Sequence, residues 1–91
     1  MTFSVFLLDE ADAFLHELSE DEFNRCLAGL NALSLNPYPG IGGDKEKIKG
    51  RENKYRIHIG RSYTAIYRID REKKRVCVSF FGTIGDAHKR Y

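Results

Sequence analysis

Between Lys54 and Ile69 the chain reads KYRIHIGRSYTAIYRI, its densest set of side chains able to do chemistry. Lys54, Arg56, Arg61 and Arg68 carry permanent charge, His58 adds an imidazole, and Tyr55, Tyr63 and Tyr67 add phenols. Such a set either forms the wet back of a sheet or holds something anionic. Side chains alternate across a strand, so Tyr55, Ile57 and Ile59 share one face while Lys54, Arg56 and His58 share the other. The apolar face must be covered, which leaves the three cationic groups together on the open face. In the next strand Thr64, Ile66 and Arg68 form one set and Tyr63, Ala65 and Tyr67 the other, and both contain groups that can pack.

Singly, each residue has an ordinary explanation. Lys54 and Arg56 can be solvated strand charges, His58 a surface histidine, and Tyr63 and Tyr67 core aromatics with a wet hydroxyl. Lys45, Lys47, Lys49 and Arg51 lie just upstream, however, and Lys89 and Arg90 stand in the tail. Taken together, a polyanion surface is the better account.

The elements that position this hairpin are readable from periodicity. Phe3 to Leu8 is rich in β-branched and aromatic residues and predicts a first strand. Asp9 is placed to cap a helix in which Ala11, Phe14, Leu15 and Leu18 recur at helical spacing. Ser19 and Glu22 predict a capping box for a second helix, with the stripe Phe23, Cys26, Leu27, Leu30 and Leu33. A near-absent linker makes the two helices an antiparallel pair. Asn36 to Gly40 ends the helical region. A basic connector, Lys45 to Arg51, leads to strands at Tyr55–Ile59, Tyr63–Ile69 and Val76–Phe81, then a polar tail. The order βααβββ predicts an α+β fold, a two-helix hairpin on one face of a twisted, mainly antiparallel sheet. The first strand should lie at the sheet's edge or beside the last. Phe14, Leu18, Phe23, Leu27, Leu30, Ile57, Val76 and Val78 should be largely buried.

Ninety-one residues allow one domain, residues 1–91. Apolar residues make up 42% and charged ones 31%, a globular rather than a disordered balance. No apolar run approaches a membrane span, and the start lacks the features of a signal peptide, so the expected location is cytoplasmic. Cys26 and Cys77 are too few and too far apart for a disulfide framework or a zinc site, and both read as small core residues. The net charge of +2 hides a split. Residues 1–44 hold one base and eight acids, whereas residues 45–91 hold fourteen bases and five acids. Either the halves attract one another, or one face repels polyanions and another attracts them.

The strand, two helices and connector ending in IKG, followed by YRIHIGRSYTAIYRIDREKKRVCVSFFG and GDAHKRY, resemble the RelE/ParE toxin superfamily. The resemblance covers almost the whole chain and is strongest from Ile48 to Tyr91. It implies the toxin of a toxin–antitoxin pair, with a cognate antitoxin as partner. The RelE branch cuts mRNA in the ribosomal A site without metal or other cofactor, and the ParE branch poisons DNA gyrase. In the RelE-like reaction the RNA 2′-hydroxyl attacks the adjacent phosphate. That step needs a base, cations around the phosphorane-like transition state and an acid for the leaving oxygen.

By position in the resemblance, Lys54, Arg56 and His58 belong to the catalytic site, Arg56 steadying phosphate charge and His58 acting as base, its ordinary pKa of about 6.5 being near working pH. His88 falls where the family acts on the leaving group, with Tyr91 as a substitute. Lys47, Lys49, Arg51, Arg61, Arg68, Lys89, Arg90 and Tyr91 are the candidate RNA-binding residues. Thr64 stands where many members carry a phosphate-binding arginine, a loss that Arg61 could offset. Thr83 and Ile84 replace two further polar positions, one of them an arginine. The leading expectation is a ribosome-dependent mRNA endoribonuclease. The rivals are a ParE-like gyrase inhibitor and a catalytically decayed toxin fold that survives as an antitoxin partner.

Overall fold

The computed structural model describes residues 2–40, 45–60 and 62–89. Its sheet has five strands in the order β1-β5-β4-β3-β2. These are β1 (Ser4–Leu7), β2 (Lys45–Lys47), β3 (Tyr55–Ile59), β4 (Tyr63–Asp70) and β5 (Arg75–Thr83). Helices α1 (Asp9–His16) and α2 (Glu20–Leu35) follow β1, and a short α3 (Ile84–His88) follows β5. β1 is an edge strand running parallel to β5, and the other neighbours pair antiparallel. Among the described residues no helix is long and apolar enough to cross a membrane.

The alternation within the hairpin sets the core. Ile57 and Ile59 of β3, Ala65, Tyr67 and Ile69 of β4, and Val76, Val78 and Phe81 of β5 are buried with Ala11 and Leu15 of α1 and Cys26, Leu30 and Leu33 of α2. Gly29 lets α2 approach the sheet, because a Cβ there would meet the Ile59 side chain at 2.9 Å. Ser19 caps α2 as its sequence predicts: its Oγ accepts from the Glu22 amide and donates to the Glu22 carboxylate at 3.2 Å.

Several expectations need correction. The residue before the first helix is Leu8, which offers no side-chain cap, and Asp9 instead opens the first turn, where acids favour the helix dipole. The basic connector supplies an extra edge strand, β2, which pairs Glu46 with Arg56. The polar tail forms α3, started by Thr83, whose Oγ1 accepts from the Asp86 amide at 3.2 Å. Phe14, Leu18, Phe23 and Leu27 are only partly buried, since they line the margins of the helices and pack against the core from its rim.

The outer face is not bare. A register shift between Ile66 and Tyr67 makes Ser79 an extra residue on β5: Ile66 pairs with Phe80, but Tyr67 pairs with Val78. Such a bulge reverses the alternation beyond it, turning Phe80 outward and Phe81 inward. Phe80, Ile66, Ile48 and Ala87 of α3 then bury one another as a second, smaller core on the outer face.

Candidate functional site

Register places the chemistry. Arg56 and His58 lie on the face opposite the buried Ile57 and Ile59, away from α1 and α2, and each is partly exposed. Across β4, Arg56 faces Ile66 and His58 faces Thr64. Thr64 is fully buried, and its Oγ1 lies 2.8 Å from His58 Nδ1. In the tautomer that carries its proton on Nδ1, that proton is donated to the hydroxyl and His58 Nε2 is the basic nitrogen. Thr64 therefore orients the imidazole from the position where the resemblance expects an arginine. On the far side of Thr64 comes Gly82, and the space a side chain would fill there is taken by the Phe80 ring, 2.7 Å from an added Cβ.

Arg56 is set by the edge strand. Its Nη2 donates to Glu46 Oε2 at 2.5 Å, with the arginine side chain 23% exposed. A cleft of about 400 Å³ brings Arg56 together with Lys47, Lys49 and Arg51. These four candidates and Glu46 line one cleft toward the Lys54 end of β3, and His58 lies two residues beyond Arg56 on the same strand face, outside it. Lys54 continues the strand outward from Arg56, with its carbonyl accepting from the Ile48 amide at 2.8 Å.

The remaining candidates are dispersed. Arg68 lies further along β4, in a different cleft with Arg75 and Asp70. His88 is exposed at the end of α3, whose Ala87 anchors the helix to the outer face. Lys89 lines a third cleft beside Glu10, Glu17 and Asp86, in acidic company unsuited to a polyanion. Arg61, Arg90 and Tyr91 lie outside the described residues. Ile84 is half-buried and, like Thr83, serves the start of α3, its amide donating to the Ser62 carbonyl at 3.0 Å.

The phenols of the hairpin all turn inward. Tyr67 is fully buried, stacks on Tyr55 at 5.6 Å and donates its hydroxyl to the Pro37 carbonyl at 2.7 Å. Burial pushes its pKa well above the ordinary phenol value. Tyr63 donates to the Glu22 carboxylate of α2, a bond that raises its pKa in turn. Two site residues escaped the sequence reading, Glu46 and the orienting role of Thr64. A hairpin register drawn through the Gly60–Ser62 turn would have paired Thr64 with His58.

A scan against protein-family models finds no match for this chain, and a search of curated proteins by similarity finds none either. Solved structures do match. The RelE–RelB complex of Pyrococcus horikoshii OT3 superposes with a TM-score of 0.76 at 24% identity, covering 93% of this chain and 98% of that one. The isolated RelE toxin of E. coli gives 0.74 at 19% identity, over 97% of both chains. The toxin–antitoxin complex RelBE2 of Mycobacterium tuberculosis gives 0.72 at 21%, over 91% of this chain and 99% of that one. The chain has the RelE-like toxin fold: two helices packed on a five-stranded mixed sheet.

Proposed function

We propose that the chain is a RelE-like toxin that arrests translation by cutting ribosome-bound mRNA, and that an antitoxin holds it inactive. The carrying observation is the His58–Thr64 contact at 2.8 Å, beside Arg56 on the outer face of a RelE-like fold. In this reading His58 Nε2 takes the proton from an RNA 2′-hydroxyl as that oxygen attacks the adjacent phosphate. Arg56 steadies the charge gathering on the phosphorane through its planar fork. Lys47, Lys49 and Arg51, which line a cleft with Arg56, draw the backbone toward that arginine, and Lys54 extends the charge along the strand. His88 is the candidate acid for the leaving 5′-oxygen, carried on the helix that sits over this face. The basic half also suits an acidic antitoxin segment, and the structures of similar fold include toxins crystallised with antitoxins.

One observation favours the alternative of a non-cleaving toxin fold, whether a gyrase inhibitor or a decayed partner. Thr83 and Ile84, where the resemblance expects polar groups, cap and pack α3 instead. Inducing the chain alone, mapping cellular RNA 5′ ends and assaying gyrase supercoiling in parallel separates the readings. New RNA ends support cleavage, blocked supercoiling with intact mRNA selects the gyrase reading, and neither effect leaves the decayed partner.

A further inference from the structure

A second cleft, of 650 Å³, opens on the outer face at the end away from His58. The buried patch of Ile48, Ile66, Phe80 and Ala87 stands between the two. One cross-strand row forms its wall: Arg68 pairs with Cys77, and Cys77 with Phe6 of the edge strand. Arg71 and Arg75 stand at the same opening, and Phe6 leaves 50% of its surface to solvent. Asp70 and Glu72 also reach the cleft, but Asp70 is engaged, 3.7 Å from Arg75 and accepting from the Lys73 amide at 3.1 Å.

An exposed phenyl ring beside guanidinium groups suits a ligand with one flat aromatic part and one anionic part. A base can stack on Phe6 while phosphate oxygens meet the fork of Arg68, with Arg75, which faces Asp70, adding charge at the rim. Two strand spacings, about 10 Å, separate the Phe6 and Arg68 backbones, and the long arginine side chain closes much of that gap. We propose that this cleft is a nucleotide site separate from the Arg56–His58 set, filled by a free nucleotide or by one nucleotide of a single strand of RNA.

Cys77 supplies a local probe, because it is half-buried in the cleft wall whereas Cys26 is fully buried. The purified chain is alkylated with a small thiol reagent in the presence of AMP, ribose 5-phosphate or a short oligoadenylate. AMP or the oligoadenylate should slow Cys77 modification, and ribose 5-phosphate should need a concentration about tenfold higher, having no base to stack. Protection by AMP identifies a free-nucleotide site, and protection by the oligoadenylate alone identifies an RNA subsite. Phe6→Leu, which keeps the apolar bulk but loses the flat ring, should weaken protection about tenfold, and Arg68→Gln should weaken it as well. The proposal is overturned if neither AMP nor the oligoadenylate protects. It is equally overturned if ribose 5-phosphate matches them, or if protection is unchanged in both variants.

Discussion

On the inner face of the sheet Tyr55, Tyr63 and Tyr67 commit their rings to packing, and Tyr63 and Tyr67 commit their hydroxyls to Glu22 and the Pro37 carbonyl. On the outer face of the same two strands Arg56 and His58 keep partial exposure, and polar neighbours, Glu46 and Thr64, aim them. One hairpin therefore serves two purposes through the period of two. Its phenols hold the fold, and its cations face whatever arrives. Stability and activity should be separable by face, and substitutions can break that separation.

The largest effect is expected at the inner core. Phe81 is 1% exposed and meets the Phe14 ring edge-on at 5.3 Å. Phe81→Ala should cost about 3–5 kcal/mol of stability by leaving a cavity, as read from urea unfolding. Arg56→Ala should do the reverse. Its ion pair reaches a Glu46 carboxylate that is 56% exposed and screened by water, so the pair itself contributes about 1 kcal/mol or less. Cleavage of ribosome-bound message, in contrast, should fall about 100- to 1,000-fold, the usual loss when one donor to the transition state is removed.

A smaller effect is expected at Thr64. Thr64→Val keeps the buried shape but loses the hydroxyl that orients His58, and should slow cleavage about tenfold, a loss of about 1.4 kcal/mol in barrier terms. Thr64→Ser should restore most of the rate if orientation is the cause. Equal rates in the valine and wild-type chains would remove Thr64 from the account.

The smallest effect belongs to a phenol. Tyr67→Phe loses one buried hydrogen bond and should cost about 0.5–1.5 kcal/mol at neutral pH. The pH dependence has a definite sign. Because the folded pKa is raised, the benefit of a neutral Tyr67 is full below the unfolded value of about 10. Above it the unfolded chain releases the proton while the folded chain keeps it, so stability falls as pH rises. Urea unfolding at neutral pH and near pH 11 should show this alkaline loss in the wild type and less of it in Tyr67→Phe.

Local rules carried the reading where they acted alone. Alternation placed Ile57 and Ile59 inside and Arg56 and His58 outside, and the Ser19–Glu22 pair marked the start of α2. Long-range pairing defeated it elsewhere. Nothing in Lys45–Lys47 distinguishes an edge strand from a charged connector until β3 offers a partner. A strict period of two through Val76, Val78 and Phe80 would send Phe80 inward, and the bulge at Ser79 reverses it. That bulge creates the outer apolar patch on which α3 sits, so the tail's helix was hidden for the same reason. Cys77 was misread as core because β5 has two covered surfaces only where α3 lies; toward β1 its outer side opens into the cleft. The site residues scattered along 47–58 were legible as a charge pattern, but which of them converge depended on β2.

The central claim is that the outer-face pair, Arg56 and an imidazole oriented by Thr64, cuts RNA. It is tested most directly by incubating the purified chain with programmed ribosomes and following the message by primer extension. The wild type should produce a cut within the ribosome-bound codon, and His58→Ala should slow it by about 100- to 10,000-fold, the range of a lost general base, while remaining folded, with a stability loss of about 1–3 kcal/mol in urea unfolding for the buried Thr64 hydroxyl left unpaired. An intact message with the wild-type chain, or an undiminished cut with His58→Ala, would contradict the account.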